Sequence, residues 1–417
     1  MSTQKEAGQK TRKASPYLIS VLILIALIAG LSLLALSPAF CDWYTDHIYG
    51  YLCDGISHVT ALFPFAVGEI IMFLGAALLL AVPILMILLI FLFKKTGYRR
   101  FCAGYFKFLS IAFLSIVLIY LPCWFIPYNG TVLGMGNPGL RTEYTYDELH
   151  DLIWYIVDGG NAAAEEIAIA EDGSVSFPSE EEYRAAINKA MDDLKDEFPR
   201  LAGFYPPVKV AICSDILDRM WIGGYNYPYT MEPTHNRYIS PLYRPVLDAH
   251  ELSHHHGYYK ENEANFLSQL ALSRSENPYL RLSAFMDMYS YVYFDYLDAQ
   301  DRVLQQMIDA GEVVWPEEIK TKEQVMEAKQ ILEDIFGEDP EFSERVSLIS
   351  NAGQEIEEEL YNEDPHPLDD LPEADELIHE TADQGWQIQG DILQDNTYDG
   401  VVLLLLQYYY EYGHSFR

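Results

Sequence analysis

His250-Glu251-Leu252-Ser253-His254-His255-His256-Gly257-Tyr258-Tyr259-Lys260-Glu261-Asn262-Glu263-Ala264 is the stretch on which the reading of this 417-residue chain turns. Pro245 suits the first turn of a helix that Val246 to His255 would continue. Gly257 then breaks it, and a second helix is expected over Asn262 to Arg274. On the first helix His250 and His254 are four residues apart and share a face, so two imidazoles can meet one Zn2+, with Glu251 beside them as a general base. Composition alone would produce such a His-Glu-x-x-His string about 0.02 times in a chain like this, so accident is a poor explanation. Solvated histidines on a polar helix face are the bland alternative, and the glycine turn followed by an acid-bearing helix weighs against it. A catalytic zinc keeps three protein ligands and one open position. Glu263, in its Asn-Glu-Ala context, is the expected third ligand. Glu261 is its nearest competitor, but it lies on a different side of a helical turn and suits a first-turn acid that complements the helix dipole. His255 and His256 are rotated by about 100° and 200° from His254 and are expected to face solvent or to support the ligands.

The Asn262-Glu263-Ala264 segment after a His-Glu-x-x-His helix resembles the gluzincin metallopeptidases, in which a Glu on the following helix is the third ligand. The wider string HELSHHHGYYKENEANFLSQL is similar to the bacterial domain-of-unknown-function 3810 family, whose members look like membrane-anchored relatives of these enzymes. That similarity extends to GGYNYPYT, YLRLSAFMDMYSYVY and the terminal TYDGVVLLLLQYY. The resemblance implies His250, His254 and Glu263 as zinc ligands and Glu251 as the base in hydrolysis of a peptide or protein substrate by a zinc-bound water. Two departures stand out. Thermolysin-like enzymes carry an Asp four residues after the ligand Glu to orient a zinc-bound His, whereas Leu267 is found here. Lys260 stands where metzincins have their third His. In zincins a strand ahead of the metal helix pairs with substrate, and Gly223 to Thr230 is the local counterpart, with Gly223, Gly224 and Tyr225 as its substrate-binding candidates; a plain aromatic loop is an equal alternative. Candidate oxyanion donors are His235, Tyr289 and Tyr291, each of which could equally be a packing residue.

Outward from this motif, the N-terminal part is apolar. Tyr17 to Leu36, Ile70 to Phe93 and Phe108 to Ile126 are uncharged runs of 20, 24 and 19 residues, each long enough to cross a bilayer core of roughly 30 Å. A cleaved signal peptide competes for the first, although the run is long for one. Lys5, Lys10, Arg12 and Lys13 precede the first span, and Lys94, Lys95, Arg99, Arg100 and Lys107 separate the second from the third, while Ser37 to Glu69 has no basic residue. The positive-inside rule therefore puts the N-terminus in the cytoplasm and everything after the third span outside it. The expected organisation is a membrane domain over residues 1–127 and an extracytoplasmic domain over 128–417, membrane-anchored α+β, mainly helical and zincin-like with a small sheet. The aromatic residues Trp43, Tyr44, Tyr49 and Tyr51 suit a loop at the headgroup level or ordinary packing.

Residues 1–127 hold 9 of the 27 basic and 5 of the 62 acidic side chains, so the remainder carries 18 and 57, a net of -39. Such a surface repels phosphates, which argues against nucleic acid and leaves the lipid bilayer and a peptide or protein as the expected partners. Capping boxes at Thr145-x-x-Glu148 and Ser179-x-x-Glu182 predict helices to Val157 and to about Phe198. Val208 to Cys213 and Asn236 to Ser240 read as strands, Tyr279 to Leu297 as a long helix, and Val401 to Leu406 as a core segment too short to span. Asn129 to Gly139 reads as a glycine-rich link, and breaks are expected at Gly337 and over Asp364 to Pro372. Of five cysteines, Cys41 and Cys53 share a loop and could pair, and Cys102, Cys123 and Cys213 are expected to be buried thiols. A non-catalytic zinc-binding ectodomain with a sensory or binding role is the main alternative to a peptidase, and a structural ectodomain with an incidental His cluster is a third. Retention of Glu251 favours catalysis, because zinc binding alone needs no base.

Overall fold

The computed structural model describes residues 15–133, 143–316, 321–363 and 397–411, with 366, 369, 375, 378, 379, 381, 382 and 413–416. Three apolar helices lead. Helix α1 (Pro16–Leu34) has no buried residue, and its 19 residues reach about 28 Å. The next segment folds as α2 (Pro38–Tyr44), a wide turn over Thr45–Tyr49, and α3 (Gly50–Thr60). Helix α4 (Val67–Leu92) buries only Gly68 and Glu69. Helix α5 (Thr96–Tyr120) continues through a wide turn to α6 (Ile126–Tyr128). Pro16–Leu34, Val67–Leu92 and Thr96–Tyr128 are each long and apolar enough to cross a membrane. Tyr44 and Tyr49 are buried beneath the α2–α3 segment, whereas Trp43 and Tyr51 are exposed.

Helices α7 (Tyr146–Glu166) and α8 (Glu180–Asp192) start at capping boxes formed by Thr145 with Glu148 and by Ser179 with Glu182. The first outruns the sequence expectation, because Ile156, Val157, Gly160, Ala163 and Ala164 continue its buried stripe. The second stops short of it, giving way to turns after Asp192. Strand β1 (Lys209–Val210), helix α9 (Ser214–Arg219), β2 (Gly224–Tyr227) and β3 (Glu232–His235) follow. The sheet order is β1-β3-β2, with β1 parallel and β2 antiparallel to β3. The expected strand at Asn236 to Ser240 is corrected to Glu232–His235, whose four residues are all buried and therefore show no inside-outside alternation.

Helices α10 (Arg244–His255), α11 (Glu261–Ser273) and α12 (Pro278–Asp309) form the centre, followed by α13 (Lys322–Phe336), α14 (Glu344–Glu363) and α15 (Thr397–Glu411). Every residue of α11 from Glu263 to Ser273 is buried, so this helix is the axis around which α8, α10, α12 and α15 pack. Val401, Val402, Leu405 and Leu406 of α15 lie in the same core as Phe266, Leu267 and Leu270. Gly337 ends α13 with φ +82°. Most of 364–372 and of the expected link, 134–139, lies outside the described residues. All five cysteines are free; Cys53 donates to the carbonyl of His255 at 3.1 Å rather than pairing with Cys41.

Helix α4 and the segment before it are bolted to the sheet. Glu232 accepts hydrogen bonds from the Val67 and Gly68 amides at 3.0 and 2.8 Å, and also from Lys209, whose ammonium further donates to the carbonyls of Thr60 and Phe65. Glu69 accepts from the Ile212 and Cys213 amides at 2.9 and 3.0 Å. Charged groups withdrawn from water persist only with such partners. Between α10 and α11, Gly257 adopts φ +89°, and a β-carbon there would meet Thr45 and Tyr49 side-chain carbons at 3.0 and 3.1 Å. Gly257→Ala is therefore expected to cost roughly 1–3 kcal/mol, read as a lowered thermal unfolding midpoint of the detergent-solubilised chain. An unchanged midpoint would mean that the turn is not constrained as described.

Candidate metal centre

Helix α10 places His250 and His254 one turn apart, and the reversal at Gly257 returns the chain so that α11 begins beside them. Of its two first-turn acids, Glu261 is the one that meets the imidazoles. Its carboxylate oxygens lie 3.2 Å from His250 Nε2 and 3.7 Å from His254 Nε2. One ligand atom from each of the three residues fits within 4.8 Å of the others. Glu263, the expected third ligand, makes other bonds. Its Oε1 accepts the Leu133 amide at 2.6 Å and its Oε2 the Lys260 amide at 3.4 Å, so this carboxylate ties the first turn of α11 to the chain leaving α6. A residue at the third position of a helix reaches back to the amide that precedes the helix, whereas one at the first position is free to face the preceding element.

Both imidazoles are fixed by their other nitrogen. His250 Nδ1 donates to the Asn265 side-chain oxygen at 2.6 Å, and His254 Nδ1 donates to the Tyr258 carbonyl at 2.8 Å. With Nδ1 of each ring committed to a protein acceptor, both Nε2 atoms face Glu261, and loss of the Nε2 proton leaves the tautomer that a metal requires. Bonds of about 2.0–2.1 Å at tetrahedral angles put ligand atoms roughly 3.3 Å apart, which the spacing on either side of Glu261 brackets. Burial works against a charged His254, yet the Glu261 carboxylate overrides it and lifts that imidazole to about 9. Burial likewise opposes ionised Glu261, and the two imidazoles overcome it, holding the carboxyl well below its usual range. The three groups thus form a pocket that favours positive charge.

Glu251 is buried, and its Oε2 has no hydrogen-bond partner among the described residues. Burial raises its carboxyl to about 7, against the lowering pull of His250 and His254. Gly224 of β2 lies directly against it, since a β-carbon there would stand 2.9 Å from Glu251 Oε1 and 2.6 Å from the Thr234 carbonyl. Gly223, just before the strand, accepts the Asn236 amide and contacts Leu247, and the Tyr225 ring packs edge-on to Tyr227. His235 donates from Nδ1 to Asp248 at 2.7 Å, joining β3 to α10 two residues before His250. Tyr289 donates to the Pro340 carbonyl, and Tyr291 packs on the main core. His255 and His256 are buried rather than solvent-facing; His255 contacts Cys53, and His256 donates to the Arg200 carbonyl. Burial keeps both neutral at pH 7, lowering His256 to about 4.

Asn265 escaped the sequence reading. Its signal is the four-residue spacing from Glu261, which places both on one face of α11. Asp287 of α12 was also missed; it is buried, accepts Gln269 at 2.7 Å and is raised by burial to about 6.

The sequence matches the family described as protein of unknown function (DUF3810) over residues 44–338. The chain belongs to that family. The match takes in the second and third apolar helices, the sheet and α10 to α12, while α1 and α15 lie outside it. No curated protein and no solved structure matches.

Glu263→Ala is expected to lower stability by roughly 1–3 kcal/mol, because two backbone amides lose their acceptor. Glu261→Ala removes the carboxylate that lifts His254, so in the metal-free protein its cost should be full below pH 6.5 and fade as pH rises through about 9, a window that the Glu263→Ala loss should not follow, both read as unfolding midpoints against pH. That pH window appearing in Glu263→Ala and not in Glu261→Ala would reverse the roles assigned to the two acids.

Proposed function

We propose that this protein is a zinc-dependent peptidase anchored in the membrane, with His250, His254 and Glu261 holding the ion and Glu251 acting as the general base. The observation that carries the reading is the convergence of two tautomerically fixed Nε2 atoms and one carboxylate, beside a buried acid with an unpartnered oxygen. A Zn2+ so held would act as a Lewis acid on the scissile carbonyl and would lower the pKa of a water toward about 7. Glu251, buried beside the ligands with one carboxylate oxygen unpartnered among the described residues, is suited to accept the proton of the attacking water and to pass it to the nitrogen of the breaking C–N bond. Once Glu261 is the ligand, the four-residue spacing from it leads to Asn265 on His250, the place at which thermolysin-like enzymes use an Asp. The departure at Leu267 disappears with this shift of two residues, which supports a gluzincin-like arrangement.

Strand β2 supports an extended substrate. It is an edge among the described strands, and opposite Asn226 stands Pro233, which has no amide hydrogen to donate. His235, opposite Gly224, directs its carbonyl to Ala211 on the other side. The polar backbone groups of Gly224 and Asn226 are therefore turned to the free edge, as β-strand addition requires. The basic residues that flank the apolar helices favour a site outside the cytoplasm.

Metal analysis and cleavage of a mixed peptide library by the purified full-length chain test the reading together. Wild type and Glu251→Gln are expected to hold one zinc per chain, with cleavage reduced about 10²–10⁴-fold in the variant; Glu261→Ala is expected to lose the ion. Zinc in wild type without cleavage of any peptide would favour a non-catalytic zinc-binding ectodomain, and no zinc in wild type would end both readings.

A further inference from the structure

We propose that the substrates are polypeptides anchored in the same membrane, cut in the extended segment just beyond their exit from the bilayer. The inference rests on the peptidase reading and names its substrate class. Three struts hold the metal centre against the ends of the apolar helices. In the first, β3 runs from Glu232, which receives the leading amides of α4, to His235, bonded to Asp248 of α10. Three residue steps of strand amount to about 10 Å. In the second, the turn between α10 and α11 is tied to the end of the third apolar helix, with Tyr259 donating to the Cys123 carbonyl at 2.7 Å and the Lys260 ammonium 3.5 Å from the centre of the Tyr128 ring. The third is the Glu263 bond to the Leu133 amide. A centre braced in this way does not swing away from the lipid surface on a flexible tether.

The edge strand has a direction. At Gly224 it touches Glu251, at Tyr227 it lies against Gly68 in the first turn of α4, and Tyr229 packs beside Tyr120 at the far end of α5. Three residue steps, about 10 Å, thus lead from the base to the first turn of α4, and the turn that follows, over 228–230, sets Tyr229 beside α5. A chain paired with this edge continues toward the bilayer. Next to the same junction, Leu62, Phe63, Phe65 and Ile212 are exposed, Leu62 by 80% and Ile212 by 51%. Apolar side chains left open beside a membrane-crossing helix suit the interfacial layer, and they place this rim of the domain on the lipid.

The test uses the full-length chain in phosphatidylcholine vesicles. A peptide that the detergent-solubilised protein cleaves is placed in three tandem copies after a single transmembrane helix, the copies spanning about 5 to 40 residues from the membrane, and the fragments are identified by mass spectrometry. At least tenfold more cutting is expected in the copy nearest the bilayer than in the farthest, while the same tandem without its anchor is cut evenly. Even cutting of the anchored form, preference for the distal copy, or cutting only of the unanchored form would overturn the proposal. Absence of any peptide cleavage in detergent would instead remove the peptidase reading on which it rests.

Discussion

The reversal of the chain at Gly257 is the constraint on which the remainder of the centre depends. Helix α10 offers two imidazoles in its C-terminal half, with Glu251 beside them, but no carboxylate of that helix is within ion-pair distance of both Nε2 atoms. The positive φ of Gly257 turns the backbone so that α11 starts beside α10, and its first carboxylate enters between the rings. The same turn lies against Thr45 and Tyr49, so a side chain would disturb both the hairpin and its seat. Tyr49 reinforces the contact by donating to the His255 carbonyl at 2.9 Å. Local backbone freedom, side-chain convergence and docking of the α2–α3 segment therefore share a single residue.

Much of this architecture was legible from residue patterns. The uncharged runs located the apolar helices, two Ser/Thr-x-x-Glu boxes located the starts of α7 and α8, and His-Glu-x-x-His with a following glycine located the α10–α11 hairpin. The short apolar run near the C-terminus was readable as core because six residues cannot cross a bilayer. Position within the first turn of α11 was not legible. Glu261 and Glu263 differ by two residues, and only the point at which the helix begins decides which faces α10. With Lys260 before the helix, the capping role of Glu263 carried no Ser or Thr to advertise it. Strand β3 failed for another reason: Glu-Pro-Thr-His has little strand propensity, and pairing with β1 and β2 imposes the conformation.

The polar junction between α4 and the sheet was invisible for a related cause. Glu69, Lys209 and Glu232 are far apart in sequence, and each alone reads as an ordinary surface charge. Together they satisfy amides and carbonyls that would otherwise be buried without partners. Gly68 has to be a glycine in the same place, because the Tyr227 ring occupies the volume of a β-carbon at 2.4 Å. Close approach of strand and helix thus explains a residue that composition could not.

This junction also sets an order for biosynthesis. The amides of Val67 and Gly68 are synthesised 165 and 164 residues before the Glu232 carboxylate that receives them. During translation the leading turn of the second apolar helix must therefore do without this acceptor, and its final seating waits for the sheet to form. Seating of the apolar helix and folding of the domain that follows it end in one late, long-range closure, with the entropy penalty that such a distant contact carries.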